Sequence, residues 1–325
     1  MTFYPVVIPT LNRYEHFKNC VESLAKNTLA GETELIIGLD YPPSEKYREG
    51  WKKIKAYIPT ITGFKDVVCL ERTENFGSGK NSSDLEEYAL SKYDAYIYSE
   101  DDNIFSPYFL QFINDGLEKY RDDDSVFAVC GYSYPIDWET DKECVLQHQY
   151  FSAWGYGIWK NREETISKEF TYDFLKQKIL KRNTSYRINT INSLYALNLL
   201  YSDDFDFTDV NRSVYLFLSG KNVLMPRKTL VKNIGWDGSG EHCILEKSSF
   251  FNEQELDDSN NIPLNDSQSL FSHNLESFQT ELHSDQRWNR VKMNLFFMFN
   301  KCFSFPISRK IYCVLRKIKK NCTNF

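Results

Sequence analysis

Long hydrophobic runs are missing from this sequence of 325 residues. No stretch approaches the ~18 consecutive apolar residues that a membrane-spanning helix requires. The residues before the first apolar run are too few and too uncharged for a secretion signal. The eight cysteines include no Cys-x-x-Cys pair, the spacing of many zinc and redox sites. These absences argue against a helical membrane span and predict a cytoplasmic protein with reduced thiols.

Two common catalytic patterns are missing as well. Gly77-Ser-Gly-Lys-Asn81 superficially resembles a phosphate loop but lacks the G-x-x-x-x-G-K-[ST] spacing. No Ser-His or Cys-His constellation for nucleophilic catalysis is present. The histidines without metal-ligand spacing, which we predict to be structural or on the surface, are His16, His148, His273 and His283.

Acidic residues are absent from residues 287–325, which hold ten lysines and arginines. The remainder of the chain carries 29 basic against 45 acidic side chains, so an acidic body precedes a basic, aromatic tail. The tail pattern is typical of an interfacial segment on anionic lipid at the inner face of the cytoplasmic membrane. A helix pair that covers the domain and exposes a basic face explains it equally well. The acidic body would repel nucleic acid, so we predict no nucleic-acid partner.

The remaining sequence predicts an α/β fold. Hydrophobic residues make up 42% and aromatic residues 16% of the chain, enough for a sizeable core. Apolar runs alternate with amphipathic helical stretches at the spacing of βαβ units, which favours a mostly parallel sheet flanked by helices. We divide the chain into an α/β domain over 1–250, a polar linker or cover over 251–286 and the tail over 287–325. The predicted strands are Phe3–Pro9, Glu34–Asp40, Val67–Leu70, Tyr96–Tyr98 and Ser125–Gly131.

Polar side chains follow four of the predicted strands. Arg13 follows the first, Asp40 ends the second, and the loop with Asn75 and Lys80 follows the third. Because the carboxyl ends of parallel strands meet at one edge of a sheet, where α/β folds bind ligands, we expect a site there.

Three consecutive carboxylates, Glu100, Asp101 and Asp102, follow the fourth strand. Such crowded charges repel one another unless a cation lies among them. Mg²⁺ and Mn²⁺ prefer oxygen ligands and usually keep coordination positions for a substrate's phosphates. The alternative is a solvated acidic loop. Ser106-Pro107 predicts the start of the next helix, with serine as N-cap and proline at the first helical position.

A glycine- and aromatic-rich loop over Tyr150–Trp159 contains Trp154 and Gly155. Its composition suits stacking on a flat ligand or a sugar face. Ordinary aromatic packing with glycines at turns is the alternative interpretation.

Three segments in this order resemble GT-A-fold glycosyltransferases, which use nucleotide sugars. Tyr4-Pro-Val-Val-Ile-Pro-Thr-Leu-Asn-Arg13 is similar to their opening strand and loop, and Glu100-Asp-Asp102 resembles a Glu-Asp-Asp form of their DxD motif. The segment from Val223 to His242 resembles the closing segment of bacterial polysaccharide glycosyltransferases. The resemblance spans residues 3–245 and implies a GT-A fold with a C-terminal helical extension.

The resemblance also implies roles for individual residues. Asp102 would bind Mn²⁺ or Mg²⁺ directly, and His242 would complete the metal or diphosphate shell. Asp209 would be the catalytic base, with Asp203, Asp204 and Asp206 as competitors. The nucleotide-sugar residues would be Thr10, Asn12, Arg13, Asp40, Glu100 and Asp101, joined by Asn75, Lys80, Trp154 and Gly155 from the loops described above.

The implied activity is metal-dependent, inverting transfer of a sugar from a nucleoside-diphosphate donor, with UDP expected, in surface polysaccharide synthesis. A glycan or a lipid-linked sugar would be the acceptor. Two alternatives stay open: a sugar-phosphate nucleotidyltransferase, which could use the same nucleotide and metal parts, and a non-catalytic carbohydrate-binding protein of the same fold.

Overall fold

The computed structural model describes residues 3–180, 190–201, 208–239, 251, 253–260, 262–265, 269–283, 286–311 and 314. Four residues with predicted or competing roles, Asp203, Asp204, Asp206 and His242, lie outside these ranges. The chain forms two compact units. The first comprises Met1–His148, Ser152–Glu164 and Lys221–Phe271, and the second comprises Gln149–Phe151, Thr165–Gly220 and Ser272–Phe325.

The first unit is built on a sheet that has eight strands within the described residues. The strands are β1 (Val6–Thr10), β2 (Glu34–Leu39), β3 (Asp66–Glu71), β4 (Ala95–Tyr98), β6 (Val126–Cys130), β7 (Cys144–Gln147), β8 (Tyr156–Trp159) and β9 (Asn222–Pro226). Their order in the sheet is β3-β2-β1-β4-β8-β6-β9-β7. Six strands share one direction, whereas β7 and β8 run against their neighbours, which confirms the predicted mostly parallel α/β sheet. A separate antiparallel pair joins β5 (Asn103–Phe105) to β10 (Val231–Asn233).

Strands β1, β2 and β4 are almost entirely buried, which explains their continuous apolar sequences. In the register of β1 with β2, Thr10 lies opposite Leu39, and the Asp40 amide donates to the Thr10 carbonyl. The residues that leave β1, β2 and β4 therefore meet at one edge of the sheet.

The helices of the first unit join these strands. They are α1 (Tyr14–Leu24), α2 (Glu45–Tyr57), α3 (Gly77–Leu90) and α4 (Phe109–Lys119), followed by α5 (Lys160–Glu169), which continues past the unit's end. Single 3₁₀ turns occupy Ala30–Glu32 and Ile58–Thr60.

Two local predictions were wrong. Helix α4 begins at Phe109 with Tyr108 as N-cap, not at Ser106-Pro107, because those residues form a turn whose Ser106 carbonyl accepts from the Phe109 amide. The predicted loop over Tyr150–Trp159 contains strand β8, which inserts between β4 and β6. Four residues with a central glycine are too short for a periodic signal.

Helices make up most of the second unit's described residues. Its helices are α6 (Tyr172–Leu180), α7 (Ile191–Tyr201), α8 (Thr208–Ser219), α9 (His273–His283) and α10 (Gln286–Cys302). Helix α7 contacts α6, α8, α9 and α10, so it forms the centre of the unit. Helix α9 lies in the stretch predicted to be a polar linker or cover. No helix among the described residues combines the length and apolar character needed to cross a bilayer.

Candidate functional site

The loop after β4 brings Asp101 and Asp102 into the interior of the first unit. Each residue is only 6% exposed, although both belong to a turn between β4 and β5. The Ser99 amide donates to the Val7 carbonyl of β1, which ties this loop to the first strand. The alternative of a solvated acidic loop is therefore excluded for these two residues.

Arg13 forms ion pairs with both carboxylates. Its Nη1 lies 2.7 Å from Asp102 Oδ2, and its Nη2 contacts Asp101 Oδ1. Burial alone would lower the pKa of Arg13, but Asp101 and Asp102 outweigh it and raise that pKa above its usual value. Arg13 is therefore a fixed positive charge between two carboxylates.

The other two carboxylate oxygens also accept hydrogen bonds. Thr10 Oγ1 donates to Asp101 Oδ2 at 2.8 Å, and Asn233 Nδ2 donates to Asp102 Oδ1 at 2.6 Å. Burial raises the pKa of Asp101. The positive charge of Arg13 opposes this rise, and the negative charge of Asp102 adds to it. One guanidinium balances only one of two carboxylates, so ionisation of both leaves a buried negative charge, which is costly without a further cation.

Asn233 and Gly235 are site residues that the sequence reasoning missed. Pairing of β10 with β5 places Asn233 opposite Asn103, and the Ile234 amide then donates to the Asp102 carbonyl at 2.8 Å. The backbone of Gly235 lies so close to the Asp102 side chain that a Cβ at this position would overlap Asp102 Oδ2 and stand 3.2 Å from Arg13 Nη1. The available signal was the Asn-Ile-Gly sequence in the segment resembling the closing part of bacterial glycosyltransferases.

A second contact ties this loop to helix α1. His16 Nε2 lies 3.2 Å from Asp237 Oδ2, two residues after Gly235. A hydrogen bond from Ser239 lowers the pKa of Asp237, so that carboxylate is ionised at neutral pH. His16 was predicted to be structural or on the surface, and this contact is structural.

Asp40 organises the neighbouring loop rather than presenting free oxygens. Its carboxylate accepts from the amides of Tyr41, Phe76 and Gly77 and from Asn75 Nδ2, at 2.8–3.0 Å. It thereby holds the start of helix α3 against the end of β2. Asn75 and Lys80 are exposed, and Lys80 Nζ lies 3.6 Å from the centre of the Phe76 ring.

Two predicted residues border the carboxylates. Asn12 is half-buried between β1 and α1, and its carbonyl accepts from the Tyr14 amide at 3.0 Å. Glu100 is half-buried, and its carbonyl accepts from Ser99 Oγ.

Trp154 belongs to an aromatic cluster in the first unit. Its ring lies edge-on to the rings of Tyr132, Trp236 and Phe251, with centroids 4.7–6.1 Å apart. Trp236 and Phe251 stack with a centroid distance of 4.3 Å. Gly155 adopts φ +71° at a close approach to Phe109 and Val231, so its role here is conformational.

Asp209 lies in the second unit, near the start of helix α8. It is exposed, and its carboxylate accepts from the Val210 amide at 2.8 Å. His242, the predicted metal or diphosphate ligand, lies outside the described residues.

The chemistry of the donors is compatible with a divalent cation. Asp101 and Asp102 supply hard oxygen atoms, and when both are ionised they carry one more negative charge than Arg13 balances. No group of three or more His, Cys, Asp or Glu suited to a metal occurs among the described residues. Mg²⁺ needs no such group, because it commonly binds through one or two carboxylates together with substrate phosphates.

The family model described as glycosyl transferase family 2 matches residues 6–194. No curated protein sequence matches the chain.

Solved structures show a weak likeness. The mannosyltransferase PcManGT from Pyrobaculum calidifontis in complex with GDP-Man and Mn²⁺ shares 13% identity over 66% of this chain and 69% of that chain, with a TM-score of 0.39. S. aureus TarS 1-349 shares 11% identity over 70% of this chain and 59% of that chain, with a TM-score of 0.40. A second structure of S. aureus TarS shares 11% identity over 70% of this chain and 36% of that chain, with a TM-score of 0.42.

Proposed function

Because the chain belongs to glycosyl transferase family 2, whose members transfer sugars from nucleotide donors, we propose that it is a metal-dependent, inverting enzyme. Its donor would be a UDP-sugar, and its acceptor the hydroxyl of a glycan or lipid-linked sugar in surface polysaccharide synthesis. The observation that carries this proposal is the pair of buried carboxylates, Asp101 and Asp102, held by Arg13 where strands β1 and β4 end.

The donor would bind along this edge of the sheet. Thr10 and Arg13 hold Asp101, leaving the β1–α1 loop with Asn12 for the nucleoside. Asp40 would act by shaping the loop that carries Asn75 and Lys80, since its own oxygens accept four hydrogen bonds. Glu100, Trp154 and Gly155 would border the sugar end.

Asp102 would hold the divalent ion, with His242 as a further ligand. The ion, when bound, supplies positive charge to the departing diphosphate as a Lewis acid. Arg13 would remain on Asp101 and keep that carboxylate oriented beside the donor. Gly235 allows the chain to pass close over Asp102.

Inversion requires one general base. The acceptor oxygen would bond to the anomeric carbon as the bond from that carbon to the diphosphate oxygen breaks, and Asp209 would take the acceptor's proton. We expect Asp209→Asn to lower kcat by ~10²–10⁴-fold and leave donor binding unchanged, since only proton transfer is lost. Turnover of a nucleotide sugar and titration with the matching nucleoside diphosphate measure the two effects. The same change at Asp203, Asp204 or Asp206 is the control, and full activity of Asp209→Asn would move the base to one of them.

Asn233 should act through Asp102. Asn233→Ala removes a donor to a buried carboxylate, and we expect ~10–100-fold weaker Mn²⁺ binding, as for other residues that orient metal ligands. The matched control is Asn114→Ala, which removes another buried amide, one that donates to the Leu110 carbonyl and to no carboxylate. Electron paramagnetic resonance of Mn²⁺ in the presence of a nucleoside diphosphate measures the affinity. Equal losses in both variants would show that Asn233 has only a folding role.

A panel of nucleotide sugars, with and without Mn²⁺, tests the function as a whole. Release of the free nucleoside diphosphate, dependent on Mn²⁺ and on Asp102, supports sugar transfer. Release of pyrophosphate on incubation of a sugar phosphate with nucleoside triphosphates would identify a nucleotidyltransferase instead.

A further inference from the structure

The exposed large hydrophobic residues concentrate near the end of the described chain. The described residues contain seven exposed large hydrophobic side chains, and only Phe271 lies before residue 291. The others are Val291, Leu295, Met298, Phe303, Ile307 and Val314. Scattered apolar residues on a surface need no explanation, but a contiguous set indicates an interaction site.

Helix α10 has two apolar faces. Met293, Phe296 and Phe297 are buried, and the helix packs on α7. Val291, Leu295 and Met298 follow at i, i+4 and i+7 and are 44%, 42% and 50% exposed. Residues at that spacing share one face of a helix, so this second stripe is additional to the face that anchors the helix.

The stripe's pattern recurs after a break in the helix. Phe303 is exposed, residues 305–311 are helical again with Ile307 exposed, and Val314 is exposed further along the chain. Lys301 and Lys310 are exposed within the same stretch. Apolar side chains with interspersed lysines are typical of segments that lie at a membrane interface.

Two partners could cover this surface, a second copy of the chain or a lipid bilayer, and charge favours the bilayer. Residues 287–325 hold ten basic residues and no acidic one. A symmetric contact with a second copy would place these like-charged tails against each other. An anionic bilayer offers opposite charge to the lysines and an apolar interior to the side chains.

We infer that α10 and residues 303–311, together with Val314, form a surface that binds anionic lipid bilayers. Leu295 and Met298 enter the acyl boundary while Lys301 and Lys310 meet the headgroups. The inference does not depend on the proposed sugar transfer, because it rests on exposed side chains of the second unit alone.

Co-sedimentation of the full chain with liposomes tests the surface. One set contains equal parts of phosphatidylglycerol and phosphatidylcholine, and the other contains phosphatidylcholine only. We expect binding to the first set, weakened by salt. The double variant Leu295→Glu, Met298→Glu should bind roughly 10²-fold more weakly, because two apolar side chains can no longer be buried.

The control carries the same type of change elsewhere. Thr60 and Thr62 are exposed in the first unit, and changing both to Glu adds the same two charges and should leave liposome binding unchanged. Thermal unfolding establishes that the variants fold. Retained binding in the double variant, or equal binding to neutral liposomes, would overturn the inference. The stripe would instead be a contact with a second copy if the wild type forms dimers and binds no lipid, while the double variant is monomeric. Transfer to a soluble acceptor should be the same in all variants, which separates this test from that of the proposed function.

Discussion

Asp102→Asn is expected to lower kcat/KM for the nucleotide sugar by ~10²–10³-fold and to abolish the dependence of donor binding on Mn²⁺. The variant keeps the size and most of the shape of the side chain but loses the charge that a divalent ion would need. Loss of one preorganised electrostatic group at developing charge costs about this much. Titration with the nucleoside diphosphate, with and without Mn²⁺, measures the cation dependence separately from turnover.

The matched control lies one residue earlier. Asp101→Asn also removes one of the two carboxylates that share Arg13, and either change leaves a neutral pair with Arg13. We therefore expect similar unfolding midpoints for both variants. The variants should differ in function, since Asp101→Asn keeps the predicted metal ligand and should keep the Mn²⁺ dependence. Retention of that dependence in Asp102→Asn would remove Asp102 from the metal site.

The sheet edge and its carboxylates could be predicted from the sequence because buried parallel strands leave a continuous apolar signal. Strands β1, β2 and β4 lie where they were predicted, and the loop after β4 was singled out by its three acids. The position of Arg13 beside them follows from the sheet order in the structure, where β1 and β4 are direct neighbours although β2 and β3 separate them along the chain. The predicted GT-A-like fold is confirmed at the level of this architecture.

The contacts that cover Asp102 could not be predicted from periodicity. Asn233 and Asp102 are 131 residues apart, and they meet through β5 and β10, two strands of three residues each. Strands this short have no periodic pattern, and a polar residue within one has no signal of burial. The sequence also gives no signal of ion pairing. Only the structure shows that the Arg13 guanidinium pairs with the carboxylates of both Asp101 and Asp102.

Gly235→Ala tests whether that cover belongs to the site, and we expect it to abolish measurable donor binding. The added Cβ would overlap Asp102 Oδ2 and crowd Arg13 Nη1, so the carboxylate, the guanidinium or the loop must move. Loss of a group that orients a metal ligand costs ~10–100-fold in metal affinity. Displacing the ligand itself together with its guanidinium partner should cost more and take donor binding below detection. Titration with the nucleoside diphosphate and Mn²⁺ measures the loss.

Gly79→Ala is the matched control, because a Cβ at that position in helix α3 has no atom within 4 Å. Alanine is favoured over glycine inside a helix by ~0.5–1 kcal/mol, so this variant should be slightly more stable and equally active. Gly235→Ala would instead combine lost binding with a folded chain, as judged by circular dichroism. Wild-type donor affinity in Gly235→Ala would mean that the loop over Asp102 can shift without consequence. In that case neither Gly235 nor the closeness of this loop would belong to the donor site.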